Sequence, residues 1–364
     1  MNFIDFVVKI DINFLSELLL LLDSCKDLNA FLHIAYRLPK IREIGKNRDF
    51  RANWQLLHVG LPLNHEFITD NSMMVKIHDI CWNTNSSILA TGDYRGMIRF
   101  WNDRGCLLNK FVAHPKTWVS CLAWSHSNIL ASSGNENGRG IIKLWTSDGQ
   151  PHCASIKDSV IIGHTDWIKS LSWSPNNILA SSSYDRTIRL WTDQGISIGP
   201  ILGHVSSGII ECVAWSPRNI LASANDTDII LFTNLQSNES ESQMIVMEIT
   251  GTMHLAWSRN NVLASSHHSG KIHLWNTNGM QLTILSGHND WIRCLAWNFE
   301  TDVLASAGDD GSIKLWKNES PHIFVLGSPL LQYNWIRKIA WNHKKNILAF
   351  DDNKDNAVVL KQSK

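Results

Sequence analysis

The sequence lacks the motifs of several common classes of protein. It has no CxxC pair, no HExxH motif and no glycine-rich phosphate loop, so no familiar pattern for zinc, protease or nucleotide chemistry is present. It also lacks charge of one sign, because 33 basic side chains balance 33 acidic ones. A chain with no net charge has no overall field to attract nucleic acid or an anionic membrane, so we expect neither as a partner.

Long apolar runs are missing as well. The run of five leucines at 18–22 is bounded by Glu17 and Asp23 and is far too short to span a bilayer. Asp5 and Lys9 interrupt the first apolar stretch, which argues against a secretory signal. Three of the seven cysteines precede a tryptophan by three residues in apolar segments: Cys121, Cys212 and Cys294. This placement is typical of buried cysteines in a reducing compartment, so we expect a cytoplasmic protein.

What the chain has in excess is tryptophan, with 17 residues against 4 tyrosines. One series recurs at intervals of 42, 49, 42, 42, 40 and 44 residues: Trp82, Trp124, Trp173, Trp215, Trp257, Trp297 and Trp341. A second series ends segments such as TIRLW: Trp101, Trp145, Trp191, Trp275 and Trp316. A period of about 42 residues that contains several short strands is typical of a β-propeller.

The third repeat shows how one unit is built. Its alternating segments WIKSLSW, ILASSS, TIRLW and SIGPILG predict four strands, a to d, separated by the turns SPNN, YDR and TDQG. We therefore predict an all-β fold: a seven-bladed β-propeller of four-stranded antiparallel blades over residues 51–364. The last repeat lacks a strand d, and we predict that residues 53–63 supply it, so that both chain ends share one blade and no open edge remains.

Residues 1–50 have a different character and predict a short α-helical segment. Leucine and other apolar residues recur at helical spacing within residues 10–44, and Pro39 ends the second helix. This segment can be a cap on the propeller or a dimerisation element. The stretch LSELLLLLDSCKDLNAFLHIAYRL also resembles an F-box, although the leading Leu-Pro of that family is absent. The resemblance implies a ubiquitin-ligase substrate receptor that binds a Skp-type adaptor through residues 10–45.

The repeats themselves resemble the WD-repeat family. The dipeptide Gly-His precedes strand a in three repeats, and the pattern D-x-x-I-x-x-W spans residues 185–191 and 310–316. The resemblance covers about residues 52–364, but the usual aspartate after the tryptophan is missing. It implies a hydrogen-bonded network inside each blade between a histidine, a strand b serine, an aspartate and a tryptophan. The matching residues are His164, Asp185, Trp191, His288, Asp310 and Trp316, together with a serine of the run 181–183.

The same residue types could also form a catalytic triad. Catalysis needs an exposed nucleophile, a base and an oxyanion site, and no serine here follows a strand and begins a helix. The set also recurs in the sixth repeat, which is expected of a structural bond and not of an active site. The pair His267–His268 has no further residue spaced to complete a metal site. We therefore expect no enzyme activity, no cofactor and no metal.

A third tryptophan series lies six residues before the strand a tryptophan in four of the seven repeats: Trp118, Trp167, Trp291 and Trp335. These rings could be wedged between blades at the rim of the top face, or they could form an exposed contact surface. In the first repeat Arg95 stands where the network aspartate is expected, so we add it to the candidate partner-binding residues. The sequence thus predicts a protein-interaction scaffold with an asymmetric top face, with the F-box type of receptor as the alternative.

Overall fold

The computed structural model describes residues 63–68, 76–84, 88–103, 105–152, 160–204, 208–233, 235, 244–317, 320–327, 335–342, 344, 347–351 and 357–362. The predicted helical segment 1–50, and with it the F-box resemblance, lies outside these residues. The described part of the chain contains 28 β-strands and no helix, so the prediction of an all-β repeat region is confirmed.

The strands form seven four-stranded sheets, which are the blades. Blade 1 contains β2 (Ile77–Trp82), β3 (Leu89–Asp93), β4 (Met97–Trp101) and β5 (Leu107–Val112). Blade 2 contains β6 (Cys121–Trp124), β7 (Leu130–Glu136), β8 (Arg139–Trp145) and β9 (Val160–Ile162). Blade 3 contains β10 (Ile168–Trp173), β11 (Leu179–Ser183), β12 (Ile188–Trp191) and β13 (Ser197–Leu202). Blade 4 contains β14 (Cys212–Trp215), β15 (Leu221–Ala224), β16 (Asp228–Phe232) and β17 (Met244–Glu248).

Blade 5 contains β18 (Thr252–Trp257), β19 (Leu263–His267), β20 (Lys271–Trp275) and β21 (Gln281–Ser286). Blade 6 contains β22 (Ile292–Asn298), β23 (Val303–Gly308), β24 (Ser312–Lys317) and β25 (Ser320–Gly327). Blade 7 contains β26 (Ile339–Asn342), β27 (Ile347–Asp351), β28 (Ala357–Gln362) and β1 (Leu63–Ile68). In each blade these are strands a, b, c and d, in order from the inner to the outer edge, and neighbouring strands run antiparallel, as the three strand pairs of blade 3 show.

Strand a of each blade lies beside strand a of the next blade, from β2 through β6, β10, β14, β18 and β22 to β26, and β26 lies beside β2. The inner strands therefore form a closed ring. The apolar clusters lie between neighbouring blades, so strand b has side chains buried on both of its faces, as in β11, where all five residues are buried. This explains why strand b is a continuous apolar or small-residue run, whereas strand a alternates.

The turn between strands a and b repeats in chemistry as well as in length. Its last asparagine adopts a left-handed backbone in four blades: Asn128, Asn177, Asn219 and Asn261, with φ of 59°, 58°, 58° and 60°. Asparagine tolerates this conformation better than most residues. In blade 3 the hydroxyl of Ser174 accepts the backbone N–H of Ile178 at 3.0 Å, which closes the turn before strand b begins.

Blade 7 is completed by a strand from the other end of the chain. Here β1 pairs antiparallel with β28, with Leu63 opposite Gln362 and Ile68 opposite Ala357. The strand differs from the predicted segment 53–63, with which it shares only Leu63. Connection length explains the difference: residues 69–76 join β1 to β2 and residues 113–120 join β5 to β6, eight in each case. A strand that ended at residue 63 would need a connection of 13 residues, 64–76.

Candidate functional site

In blade 3, a buried serine lies at the centre of a hydrogen-bonded network of four side chains. The hydroxyl oxygen of Ser181 lies 2.7 Å from Nε2 of His164 and 2.8 Å from Nε1 of Trp191. On its other side, Nδ1 of His164 lies 2.9 Å from a carboxylate oxygen of Asp185. His164 precedes β10, Ser181 lies in β11, Asp185 lies in the next turn and Trp191 ends β12. The four side chains therefore connect the loop before strand a to strand b, to the turn between strands b and c, and to strand c.

Donor and acceptor roles follow from the chemistry of the indole. An indole N–H can only donate, so the Ser181 oxygen accepts from Trp191, and the same oxygen lies within hydrogen-bond distance of Nε2 of His164. The carboxylate of Asp185 accepts from Nδ1 of His164, which is also the order of bonds in a catalytic triad. However, Ser181 is 0% and His164 1% exposed. No substrate can reach this hydroxyl, so the cluster joins strands and offers no accessible nucleophile.

Blade 6 repeats the arrangement. His288 contacts Ser306 at 2.7 Å and Asp310 at 2.9 Å, and Trp316 donates to Ser306 at 2.9 Å. Burial would raise the pKa of Asp310, but hydrogen bonds and the charge interaction with His288 outweigh it and hold that pKa well below its usual range. The pKa of Asp185 is lowered in the same way against its own burial. In blade 4, His204 contacts both Ser223 and Asp228.

Blades 1 and 2 keep only part of the network. In blade 2, His114 contacts Ser132 at 2.9 Å, and burial lowers its pKa to about 3. In blade 1, Asp93 accepts the backbone N–H groups of Arg95 and Met97, and it pairs with the buried Arg99 guanidinium at 2.5 Å. Arg99 thus stands where other blades have a histidine. The side chain of Arg95 is exposed on the turn between β3 and β4.

Blade 5 has no Gly-His dipeptide, yet it contains an equivalent histidine. His267, from the end of strand b itself, lies 2.9 Å from Ser265, and Trp275 donates to the same serine at 2.9 Å. The neighbouring His268 points elsewhere and stacks on Trp291 of blade 6, with ring centroids 4.1 Å apart. Sequence reasoning considered this pair only as metal ligands. Within the described residues, no group of three or more His, Cys, Asp or Glu side chains could hold a metal ion.

The strand a tryptophans connect one blade to the next. Their indole N–H donates to a strand a alanine carbonyl of the preceding blade in four cases: Trp173 to Ala123, Trp257 to Ala214, Trp297 to Ala256 and Trp341 to Ala296, at 3.1–3.2 Å. Both tryptophan series are thus largely core residues. The strand c tryptophans form hydrogen bonds within a blade, and the strand a tryptophans form hydrogen bonds to the neighbouring blade.

The third tryptophan series divides into two pairs. Trp118 and Trp167 are half-buried and stack on each other, with ring centroids 4.3 Å apart and planes 19° apart. Trp118 also contacts two rings of blade 1, His78 and Tyr94, with centroids 6.4 and 5.8 Å away. Blade 1 therefore supplies aromatic rings although it has no tryptophan at this position. An alignment of the repeats could have shown this. The position just before the network aspartate is occupied by aromatic or charged residues in blades 1, 3, 5 and 6: Tyr94, Tyr184, His268 and Asp309.

The other pair is exposed. Trp291 is 40% and Trp335 is 48% exposed, whereas the strand a and strand c tryptophans of the described core are buried, apart from the partly buried Trp297. An arginine two residues later stacks over each ring: Arg293 lies 4.7 Å from the Trp291 centroid and Arg337 lies 5.7 Å from the Trp335 centroid. The sequence Trp-Ile-Arg thus places a cation on an exposed indole in two adjacent blades.

The inner strands surround a channel of about 1120 Å³. At its wall, Lys338 of blade 7 pairs with Asp79 of blade 1 at 3.3 Å, and Asp79 also accepts the N–H of Leu122 in blade 2 at 2.7 Å. Burial raises the pKa of the Cys121 and Cys294 thiols, which also face this channel, to about 11. These thiols stay protonated at neutral pH, as expected of buried packing residues.

Comparisons with known proteins agree with this geometry. The family "WD40: WD domain, G-beta repeat" matches residues 69–102, 105–146, 157–192 and 279–317. The F-box resemblance gains no support from these matches, which all begin after residue 68. A crystal structure of RRP9 WD40 repeats superposes with a TM-score of 0.66 at 15% identity and covers 82% of this chain and 98% of that one.

Two further proteins are similar to this chain in sequence. The ribosome biogenesis protein WDR12 homolog of Nematostella vectensis is 22% identical over 272 residues, which is 64% of this chain and 64% of the relative. This chain thus spans 64% of the length of that relative. The WD repeat-containing protein WDS homolog of Arabidopsis thaliana is 36% identical over 62 residues, 16% of this chain and 12% of the relative.

Among the described residues, no helix has the length and apolar character needed to cross a membrane. The family matches include blades 3 and 6, whose networks are complete, and blades 1 and 2, which keep part of the network. The fold, the repeated bonds and the family matches agree with one another. This chain therefore carries WD40 repeats, built into a seven-bladed β-propeller.

Proposed function

We propose that this protein is a non-catalytic interaction scaffold that binds a protein partner on its top rim. The top rim is the surface made by the loops that precede each strand a and by the turns between strands b and c. The observation that carries the proposal is the exposure of Trp335 and Trp291, at 48% and 40%, whereas the other described indoles are buried or half-buried. Exposed indoles with defined neighbours are favoured anchors in protein interfaces.

The surroundings of these rings favour rigid contact. Trp291 is held by His268 and by Arg293, and Arg293 is itself fixed by a two-point ion pair with Asp309 at 2.8 and 2.6 Å. Side chains that are already ordered lose little conformational freedom when a partner binds. The stacked Trp118 and Trp167 lie on the same rim and extend the aromatic surface through blades 2 and 3.

Charge favours a partner segment that carries an acidic group. Lys76 lies 5.2 Å from the centroid of the Tyr94 ring, and Arg337 donates to the Tyr94 hydroxyl at 3.2 Å. Neither cation has a carboxylate within ion-pair distance among the described residues, whereas Lys169 is paired with Glu211. We therefore infer that the partner brings an acidic side chain beside an apolar one at the junction of blades 7 and 1, next to Trp335.

The setting of this scaffold also stays a proposal. The relative named as a ribosome biogenesis protein supports work within a large assembly, and the cytoplasmic location expected from the cysteines stays a prediction. The F-box type of substrate receptor is the alternative function. It depends on residues 10–45, and it would be favoured only if a Skp-type adaptor co-purified with the intact chain and was lost on their deletion.

The test is quantitative affinity capture by the intact chain and by Trp335→Ala, with Ile196→Ala as the matched control. Ile196 is 62% exposed, but it lies in the turn between strands c and d, away from the top rim. We expect Trp335→Ala to lower recovery of the specific partner by about tenfold, the size of a modest anchor residue, while Ile196→Ala leaves it unchanged. Equal recovery with both variants, at unchanged melting temperature, would count against the top rim.

A further inference from the structure

The outer strand of blade 5, β21 (Gln281–Ser286), has an unusual composition for the edge of a sheet. Among the described strands it pairs only with β20 and ends its sheet, so one row of its backbone N–H and C=O groups has no described strand beside it. Among the seven outer strands, it is the only one longer than three residues that contains neither a charged residue nor a proline. The others carry Glu66, Lys110, Pro200, Glu248 and Pro321, and β9 has three residues.

The side chains of this strand add to the effect. Leu282 and Ile284 point to one face and are 48% and 42% exposed, and Met280, which precedes the β-bulge, is 61% exposed. On the opposite face Leu285 is buried in the cluster shared with blade 6. The outer strand of blade 1 also shows apolar residues, but the exposed Lys110 stands between Leu108 and Val112 on the same face. Charged residues and prolines at sheet edges prevent pairing with other chains, and β21 has neither; its one protective feature is the β-bulge at Leu282, opposite Trp275.

We propose that a second copy of this chain covers β21, with the two β21 strands antiparallel about a twofold axis. Centred on Thr283, this register places Leu282 of each copy opposite Ile284 of the other. Apolar side chains then meet on one face, where cross-strand contacts stabilise pairing. The same symmetric pairing is unfavourable at the other apolar edges: β5 would bring two copies of Lys110 together, and β17, centred on Val246, would place Glu248 opposite Met244.

Long-range charge does not oppose this association, because the chain carries 33 basic and 33 acidic side chains. The contact is small. Two six-residue strands and their flanking methionines bury less than the roughly 1,200 Å² of the smaller stable interfaces, so the dimer is weak and depends on concentration. The proposal concerns the outer edge of blade 5 and is independent of the top rim.

The experiment is sedimentation velocity of the full chain from about 1 to about 200 μM, a range suited to weak interfaces. We expect the mass to rise from 41.2 kDa towards twice that value. Leu282→Lys and Ile284→Glu each place a charge opposite an aliphatic side chain, so each alone is expected to weaken association by about tenfold or more. An equimolar mixture is expected to restore the dimer, because the register then places the new ammonium group of Leu282→Lys opposite the new carboxylate of Ile284→Glu.

Two controls keep the proposal falsifiable. Val112→Lys alters an equally exposed residue, 55%, on the outer strand of blade 1 and should leave the dimer unchanged. Trp335→Ala should also leave it unchanged, which separates this surface from the top rim. A wild-type chain that stays monomeric to the highest concentration would overturn the proposal, as would association that both β21 variants leave intact. Failure of the mixture to restore the dimer would overturn the twofold register.

Discussion

At the scale of single residues, the strand b serine is the residue that connects the histidine and the tryptophan of the network. Ser181 accepts from Trp191 and shares a hydrogen bond with Nε2 of His164, so one hydroxyl satisfies two large buried rings. Its neighbour Ser182 is equally buried, but the Ser182 hydroxyl has no partner. The two serines therefore make a natural comparison within a single strand, because position and burial are matched and only the bonds differ.

We predict that Ser181→Ala destabilises the protein and that Ser182→Ala does not. The first change leaves Nε2 of His164 and Nε1 of Trp191 each without a partner, at about 1–3 kcal/mol for each buried group. The second removes a buried hydroxyl that makes no bond, so it is expected to be neutral or slightly stabilising. Urea denaturation of the two variants measures the difference. Equal losses of unfolding free energy would show that the serine bonds contribute little.

A buried carboxyl in blade 7 gives a prediction about pH. Asp351 is 4% exposed and accepts the backbone N–H groups of Arg337 and Lys338 at 2.8 and 2.9 Å. Burial raises its pKa to about 6. Because the folded carboxyl then binds a proton more tightly than the unfolded one, protonation stabilises the fold. This contribution is fully present below the unfolded pKa near 3.8 and is lost as pH rises through about 6.

Asp351→Asn should therefore be more stable than the wild type at pH 7.5, by up to about 3 kcal/mol, and close to it at pH 4. The amide oxygen can still accept both N–H groups, so the backbone contacts remain. Denaturation curves at several pH values between 4 and 7.5 provide the measurement. A wild-type chain and a variant with the same pH dependence would exclude Asp351 as its source.

At the scale of the strand, blade 5 shows that one bond can be made from two places in the sequence. Other blades bring a histidine from the loop before strand a, whereas blade 5 uses His267 at the end of strand b. Burial lowers the pKa of His267 to about 4, so the ring is neutral and can accept from Ser265 at Nε2. The side chain of His268, the next residue, instead stacks on Trp291 and contacts the sulfur of Met253.

We predict that His267→Ala lowers the free energy of unfolding by about 1–3 kcal/mol, because it removes a buried ring and its bond to Ser265. His268→Ala is the matched control, and it should cost less than about 1 kcal/mol because its ring lies near the surface. Thermal melts of both variants distinguish them. If His268→Ala proved the more damaging change, His267 would not be the network residue of this blade.

The sequence could predict the seven blades and most network residues of blades 3 and 6, because each strand and each of these residues has a fixed spacing from a tryptophan. It could not find His267, since the search looked for a histidine only before strand a. It likewise read Arg95 as a replacement for the missing aspartate of blade 1, whereas Asp93, two residues earlier, accepts the turn N–H groups. Where a bond is made from another backbone position, spacing alone is insufficient.

The closing strand was placed ten residues too early for a related reason. An apolar stretch and an alternating one can both form an edge strand, and the choice here depends on connection length. The divided behaviour of the third tryptophan series also lies beyond the sequence. The four residues occupy equivalent positions, but only Trp118 and Trp167 have each other as partners, and this depends on ring orientations that the repeat pattern does not contain.

At the scale of the whole molecule, the ring closes where blade 7 meets blade 1. Lys338 pairs with Asp79, and the charge of that aspartate outweighs the effect of burial and raises the pKa of Lys338. Asp79 also accepts an N–H group from blade 2, so one carboxylate links three consecutive blades. An apolar cluster that includes Trp82 of blade 1 and Ile347 of blade 7 lies behind the pair.

Lys338→Met is expected to destabilise the closure, by as much as about 3–5 kcal/mol, because it leaves Asp79 buried without its cation. Lys169→Met is the control: it breaks a more exposed pair with Glu211, which should cost less than about 1 kcal/mol. Hydrogen exchange should increase mainly in β26, β27 and β2 of the first variant. Uniform exchange across all seven blades would show instead that the closure is no weaker than any other junction.

The stacked indoles of Trp118 and Trp167 have an optical consequence. Two parallel rings with centroids 4.3 Å apart share their excited states, so they should give an exciton signal in circular dichroism that isolated indoles lack. A ligand that separates or tilts these rings would change that signal without any added label. The protein thus contains a built-in spectroscopic reporter on the rim where we expect its partner to bind.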